Sequence, residues 1–254
     1  MPTAVVTGAG RGIGRAICVR LAKSGWDLGI QGRSEAPLLE TQRLIEAQGR
    51  GCIVVPGDVA RKEAADALVD HTQRAFGAPT CAVPCAGQAF SAPILRSDPD
   101  DLRRLLEVNL LSVLHLVQAA APVMKSAGGA IVVVASTAAV HGARYTSAYS
   151  ASKHGVLGLV RSGALDLASQ GVTLNAVCPG WVDTPMFDAT LDNIAEKTGG
   201  TRAEARQRIE ARIPSGRVTS SEEVAGLVAY LAGPEARQVT GQAWVMDGGE
   251  TLGS

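Results

Sequence analysis

Short apolar runs alternate with longer stretches of helical period along this chain. Residues 4–6, 28–31, 52–56, 80–84, 130–135, 173–177 and 243–245 are rich in Val, Ile, Leu and Ala and lack a clean apolar–polar alternation. Runs of that kind predict strands buried on both faces. Between them, helical stretches begin near Gly14, Ala36, Lys62, Pro99, Ala148 and Ser221. Strands separated by helices predict a mainly parallel seven-stranded sheet with helices on both faces, a doubly wound α/β fold. No repeat, low-complexity run or linker divides the chain, so one domain is expected over residues 1–254.

The rhythm fails once, at about residues 187–214. This stretch is charged and helical in character, as in Ala203-Glu-Ala-Arg-Gln-Arg-Ile-Glu-Ala-Arg212, and it follows Pro179-Gly180 and Thr184-Pro185. An insertion after a strand's carboxyl end lies beside the ligand crevice of such a sheet and reads as a substrate lid. A solvated pair of surface helices is the alternative.

Composition narrows the partners. Lys and Arg number 24 against 24 Asp and Glu, so the net charge is zero and no nucleic-acid or anionic-membrane surface is expected. The longest apolar runs, residues 110–117 and 130–135, are too short to span a bilayer, and Ser112 and His115 interrupt the first. Ala4-Val5-Val6 leads straight into a glycine-rich turn, so the start of the chain reads as structure rather than as a signal peptide. Five cysteines (18, 52, 81, 85 and 178) suit reduced thiols in a cytoplasmic protein. Cys81 and Cys85 flank Val83 and Pro84 with no His nearby, so no metal site is expected.

The glycine-rich turn carries the first chemistry. Thr7-Gly8-Ala9-Gly10-Arg11-Gly12-Ile13-Gly14 follows the first strand and opens a helix. Its glycines allow a tight turn, close approach of backbone to a pyrophosphate and free N–H groups at a helix N-terminus. The position at which an acid would bind the ribose hydroxyls of NAD holds Gly32, followed by Arg33, and Arg11 lies in the loop itself. Two guanidiniums without a carboxylate suit a 2′-phosphate, which favours NADP(H) over NAD(H). Glu35 and stacking of Arg33 on an adenine keep NAD(H) open.

Tyr149 and Lys153 carry the second. Side chains four apart on a helix share a face, which brings an ammonium beside a phenol. Lowering a phenol's pKa by roughly 3 units takes about 4 kcal/mol, within reach of one close, partly desolvated ammonium. Ser136, 13 residues before Tyr149, adds a hydroxyl at a strand end. The trio suits acid/base chemistry near neutral pH.

With these residues in order, the sequence resembles the short-chain dehydrogenase/reductase family, in the compact Rossmann-type branch that includes 3-oxoacyl-acyl-carrier-protein reductases and ketoreductases. The resemblance runs from Thr7 to Gly249. It covers the glycine loop, Asp58-Val59, Ala86-Gly87, Asn109, Ser136, Tyr149, Lys153, Pro179-Gly180-Trp-Val-Asp-Thr184, Ile213-Pro-Ser-Gly-Arg217 and Met246-Asp-Gly-Gly249. It implies hydride transfer between a nicotinamide cofactor and a carbonyl or secondary alcohol, such as a 3-oxoacyl thioester, a small ketone or a polyol. Tyr149 is then the proton donor, Lys153 its activator and the holder of the nicotinamide ribose, and Ser136 a hydrogen-bond donor to the substrate oxygen. Asn109 would hold a water in a relay to Lys153. Gly8, Arg11, Gly12, Ile13, Gly14 and Arg33 would bind the phosphates and the adenosine ribose, and Asp58 and Val59 the adenine. Ala86, Gly87, Pro179, Gly180, Val182 and Thr184 would line the nicotinamide half. The resemblance also implies a homotetramer, with the helix from Ala148 and the last strand as contacts.

One departure stands out. Pro84-Cys85 replaces the family's usual Asn-Asn or Asn-Ala, removing a backbone donor and a side-chain amide. His154, next to Lys153, turns about 100° away on the helix and reads as surface or interface. His141 is a further pocket candidate. Trp181, Phe187 and Tyr145 are either core or pocket wall. Arg96 and Arg144 could meet an anion, though each also fits a surface charge. A non-catalytic nucleotide-binding regulator on the same fold is the rival function, and such proteins typically lack the Tyr or the Lys. A sugar epimerase or dehydratase of the extended branch would need a larger C-terminal domain.

Overall fold

A computed structural model describes residues 1–125 and 128–252. Its strands are β1 (Thr3–Thr7), β2 (Asp27–Gly32), β3 (Cys52–Pro56), β4 (Cys81–Val83), β5 (Gly129–Val134), β6 (Val172–Pro179) and β7 (Ala243–Met246). They form one sheet in the order β3-β2-β1-β4-β5-β6-β7. Every pairing is parallel, so the mainly parallel expectation tightens to all-parallel. Chain direction across the sheet reverses between β1 and β4, which opens a crevice at their carboxyl ends.

The helices are α1 (Gly12–Lys23), α2 (Glu35–Glu46), α3 (Lys62–Phe76), α4 (Pro99–Leu106), α5 (Ser112–Met124), α6 (Ser147–Ala168), α7 (Pro185–Thr198), α8 (Arg202–Glu210) and α9 (Ser221–Ala232). Alternate strand residues feed two separate cores. Ala4 and Val6 join Ile17, Leu21, Ile30 and Val228 on one face. Val5 joins Leu68, Leu116, Ile131, Val156 and Leu174 on the other. Each large aliphatic side chain buried in this way contributes about 1.5–3 kcal/mol. Because both faces are covered, the strands show apolar runs without clean alternation, which made them visible in the sequence, although β2 and β6 also bury Gln31, Thr173 and Asn175.

Boundaries moved where backbone hydrogen bonding demanded it. α1 starts at Gly12, with Arg11 as its extended N-cap at φ −163°. β4 stops at Val83, because Pro84 has no N–H to continue the ladder, although its carbonyl still accepts from Val134 N at 2.9 Å. Between α4 and α5 a five-residue π turn, Glu107–Leu111, replaces a regular helical turn and carries Asn109. The continuous run Pro99–Met124 contains an 18-residue stretch of mean hydropathy 1.4 and is by length and composition able to cross a membrane. Reading apolar runs one at a time missed it, because the helix joins a charged first half to an apolar second half. Here Val113, Leu116, Ala120 and Met124 are buried in the sheet-side core.

Residues 187–214 fold as α7 and α8 with a core of their own. Phe187, Leu191, Ala205, Ile209, Ile213 and Val218 pack together, apart from both faces of the sheet. Thr201 and Glu204 cap α8 reciprocally.

Candidate active site

The β1–α1 turn is built so that side chains do not fit. Gly8 sits at φ +68°, and a Cβ there would lie 2.8 Å from the Ala86 backbone. A Cβ on Gly14 would lie 2.2 Å from the Gly8 carbonyl oxygen. Arg15 ties this turn to α2: its guanidinium donates to the Gly10 carbonyl and to Thr41 Oγ1, and pairs with Glu40 at 2.7 Å. Thr41 in turn donates to the Ala9 carbonyl at 2.9 Å. Arg11 offers α1 no side-chain cap.

Arg11 and Arg33 stand exposed at the carboxyl edge of β1 and β2. Among the described residues neither forms an ion pair. Glu35 opens α2 two residues later. Asp58 follows β3 on the same edge; its Oδ1 accepts from Ala60 N at 3.1 Å, and Val59 beside it is buried.

The Pro84-Cys85 departure is compensated by a residue that the sequence reading passed over. The buried Thr7 hydroxyl accepts from Cys85 N at 3.1 Å and from Ala86 N at 3.3 Å. It thereby ties the β4 loop to the end of β1, a task expected of a side-chain amide. Cys85 packs against the core on the α1 face, and burial pushes its thiol up to about 12, with the charge of Lys153 pulling the other way. The available signal was a hydroxyl at the end of a central strand, next to the glycine turn.

Tyr149 and Lys153 both lie on α6, and Lys153 Nζ is 5.9 Å from the centroid of the Tyr149 ring. Lys153 is 5% exposed, and its Nζ donates to the Val134 carbonyl at 3.3 Å, reaching the end of β5 two residues before Ser136. Ser136 caps the short turn Thr137–Ala139, its Oγ accepting from Ala138 N at 3.1 Å. Asn109 is buried. Its Oδ1 accepts from Gln88 N at 2.8 Å, and its Nδ2 donates to the Gln88 carbonyl at 2.9 Å and to Ser152 Oγ at 3.0 Å. Both amide hydrogens are therefore spent on protein, leaving only oxygen lone pairs on Asn109 to hold a water. Gly87 lies between these groups: a Cβ there would be 3.3 Å from Asn109 Oδ1 and 3.5 Å from Lys153 Nζ.

The far wall comes from the end of β6. Gly180 N donates to the Met246 carbonyl at 2.9 Å, and a Cβ on Gly180 would meet Asp247 Cβ at 3.0 Å. Pro179 ends the strand, and Val182 bridges to Thr219. The Thr184 hydroxyl caps α7, accepting from Phe187 N at 3.3 Å and donating to the Val182 carbonyl at 3.1 Å. A Cβ on Gly12 would lie 3.3 Å from Thr184 Cγ2, so the two loops approach each other across the crevice. Ile13, on the first turn of α1, is half-buried.

The remaining candidates divide. Phe187 is 3% exposed and belongs to the α7–α8 core rather than to an open pocket wall, because its ring is enclosed by that helix pair. Trp181 is half-buried beside it, ring centroids 5.7 Å apart, with its Nε1 donating to Glu250. Tyr145 is exposed and holds φ +68°, a left-handed conformation costly for a non-glycine residue. With Ile94, Leu95, Arg96 and Arg144 it lines an open cavity of about 670 Å³. His154 is exposed, its Nδ1 2.9 Å from the Ser150 carbonyl. His141 is also exposed. The five cysteines are free thiols.

A glycine turn at a parallel-sheet switch point is the arrangement of a doubly wound nucleotide-binding fold. The family model described as enoyl-(acyl carrier protein) reductase matches residues 8–251. L-2,3-butanediol dehydrogenase of Corynebacterium glutamicum is 36% identical over 250 residues, covering 97% of each chain. A diacetyl reductase, (S)-acetoin forming, of Staphylococcus epidermidis is 32% identical with the same coverage. Among solved structures, actinorhodin polyketide ketoreductase with NADPH superposes with a TM-score of 0.94 at 35% identity, over 98% of this chain and 97% of that one. The chain belongs to the short-chain dehydrogenase/reductase family, which binds NAD(P)(H), and its relatives support oxidoreduction of carbonyls and alcohols.

Proposed function

We propose that this protein is an NADP(H)-dependent carbonyl reductase and secondary-alcohol dehydrogenase in which Tyr149 moves the proton. The observation that carries the reading is the buried Lys153 ammonium, tethered to Val134 and set 5.9 Å from the Tyr149 ring. A fixed cation beside a phenol suits a hydroxyl that gives up and regains its proton during turnover. Ser136, at the end of β5, donates to the substrate oxygen, and with Tyr149 meets the negative charge that builds there in reduction.

The turn at Gly8, Gly12, Ile13 and Gly14 fits a pyrophosphate, since a Cβ at Gly8 or Gly14 would collide with backbone. Arg11 and Arg33, exposed and free of ion pairs among the described residues, would take the 2′-phosphate of NADP(H). Asp58 and Val59 would flank the adenine. Ala86, Gly87, Pro179, Gly180, Val182 and Thr184 would hold the nicotinamide half, with Lys153 on its ribose. When bound, the nicotinamide supplies or accepts the hydride.

The α7–α8 pair, with its separate core, acts as the substrate lid. A one-domain molecule assembling as a homotetramer belongs to the same proposal, supported by exposed Leu165 on α6, Tyr230 on α9 and Val245 on the edge strand β7. Small ketones and 3-oxoacyl thioesters are the proposed substrate classes, supported by a diacetyl reductase and a putative ketoacyl reductase among the relatives.

The test follows the loss of reduced-nicotinamide absorbance with NADPH and NADH in parallel, over diacetyl, an acetoacetyl thioester and a cyclic ketone. Turnover preferring NADPH is expected. Equal KM values for the two cofactors would overturn the NADP(H) assignment, and NADPH binding without turnover of any ketone would overturn the catalytic one.

A further inference from the structure

We infer that the open cavity at the N-terminal end of α6 holds an anionic tail of the substrate, carried on an apolar stem. The inference rests on the carbonyl-reductase reading above and narrows the substrate class within it.

Two loops make this cavity of about 670 Å³. One is the Ile94–Arg96 turn after β4, and the other carries Arg144 and Tyr145 just before α6. They are joined where Ala92 N donates to the Tyr145 carbonyl at 2.8 Å. Thr146 fastens the second loop, its N and its Oγ1 both donating to the Ala143 carbonyl, at 3.3 and 2.8 Å. Within these ties Tyr145 keeps its φ of +68°, and strain held in this way is characteristic of ligand-binding loops. Ser147, in the first turn of α6, also lines the cavity. Tyr149 follows two residues on, about 3 Å along the helix axis. A tail in the cavity can therefore belong to a molecule whose carbonyl sits at Tyr149.

The lining has an apolar part and a cationic part. Leu95 is 96% exposed and Ile94 73%, and Tyr145 is exposed in the same cavity. Large apolar side chains left open together suit an alkyl stem. Arg96 and Arg144 supply the charge, and no carboxylate lines the cavity beside them. Among the described residues neither guanidinium forms an ion pair. The acids that follow Arg96 in sequence are committed elsewhere: Asp98 caps α4, Asp100 pairs with Arg103 and Asp101 with Arg104. Two unpaired guanidinium forks match the planar oxygens of a carboxylate or the oxygens of a phosphate. The ligand chemistry is thus an anion set several bonds away from the reacting carbonyl.

The experiment measures kcat/KM with NADPH for two matched pairs of substrates. 6-Oxoheptanoate is compared with its methyl ester, and acetoacetyl-coenzyme A with the neutral N-acetylcysteamine thioester of acetoacetate. The parent should prefer the charged member of at least one pair by about tenfold or more, with the difference in KM. A preference confined to the first pair identifies the anion as the carboxylate of a keto acid, and one confined to the second as the phosphate of a thioester carrier. The double variant Arg96→Gln/Arg144→Gln should bring the ratio close to one, while Arg96→Lys/Arg144→Lys should keep part of it. Equal values within both pairs, or a preference that survives the double Gln substitution, would overturn the proposal. No turnover of any of the four compounds would sink the carbonyl-reductase reading instead. Calorimetric titration with octanoate, which carries the stem and the anion but no carbonyl, then tests the cavity by itself. Binding to the parent that the double Gln variant lacks upholds the site, and no binding to the parent overturns it.

Discussion

Lys153 Nζ lies 5.9 Å from the Tyr149 ring centroid and is anchored to the Val134 carbonyl at 3.3 Å, so a buried cation is fixed between α6 and the end of β5. The ring and the cation would both survive loss of the phenol oxygen. Tyr149→Phe should therefore bind NADPH within about threefold of the parent yet lose at least ~100-fold in turnover, the usual scale of general acid/base catalysis. Steady-state kinetics and fluorescence titration check the two halves separately. Retained turnover would move the proton donor elsewhere.

On the proposed NADP(H) reading, cofactor choice turns on Arg33, which follows β2 with its guanidinium exposed and no ion-pair partner among the described residues. A charge-assisted contact to a 2′-phosphate is worth about 1.5–3 kcal/mol. Arg33→Ala should accordingly lower kcat/KM for NADPH by roughly 10- to 100-fold and leave NADH nearly unchanged. If both cofactors weaken together, Arg33 packs on the adenine instead, and the discrimination lies elsewhere.

Much of this was legible because the relevant signals are local. Apolar runs without clean alternation report strands covered on both faces, and the spacing of Gly8, Gly12 and Gly14 reports a turn that no side chain can enter. Tyr149 and Lys153 share a face through helical geometry alone. The partnerships that cross the sheet were not legible. Nothing near Thr7 in sequence says that its hydroxyl serves Cys85 and Ala86, 78 and 79 residues away. Asn109 owes its place to a π turn, which leaves no periodic trace in five residues. Phe187, left open between core and pocket wall by its place after the β6 end, is core because α8 folds back and encloses it.

The long-range tie made by Thr7 has a measurable worth. Its hydroxyl is the acceptor for two backbone N–H groups, and each buried donor left unpaired costs about 1–3 kcal/mol. Thr7→Val keeps the shape and removes the acceptor, so denaturant unfolding should show a loss of about 2–4 kcal/mol. Thr7→Ser, which keeps the oxygen, should lose much less. A Thr7→Val protein as stable as the parent would mean that the β4 loop finds another acceptor and that the Pro84-Cys85 departure needs no compensation from Thr7.

Burial also sets the alkaline limit of stability. Desolvation pushes the thiols of Cys52, Cys81 and Cys85 up to about 12 from an ordinary 9.0, Cys178 to about 11, and Cys18 well above its ordinary value. A thiol whose value is raised by folding favours the native state while it is protonated. That contribution is whole below pH 9, where the unfolded thiol is also protonated, and it drains away as pH climbs toward the folded value. Each such thiol lowers the unfolding free energy by up to about 1.4 kcal/mol per pH unit across that window. Removing one should therefore flatten the curve: Cys81→Ala is expected to be less stable than the parent at pH 8, with the gap narrowing as pH rises from 9 to 11. Urea titrations at several pH values measure the gap directly. A constant gap across that range would show that the Cys81 thiolate is tolerated inside the sheet, contrary to its burial between β1 and β5.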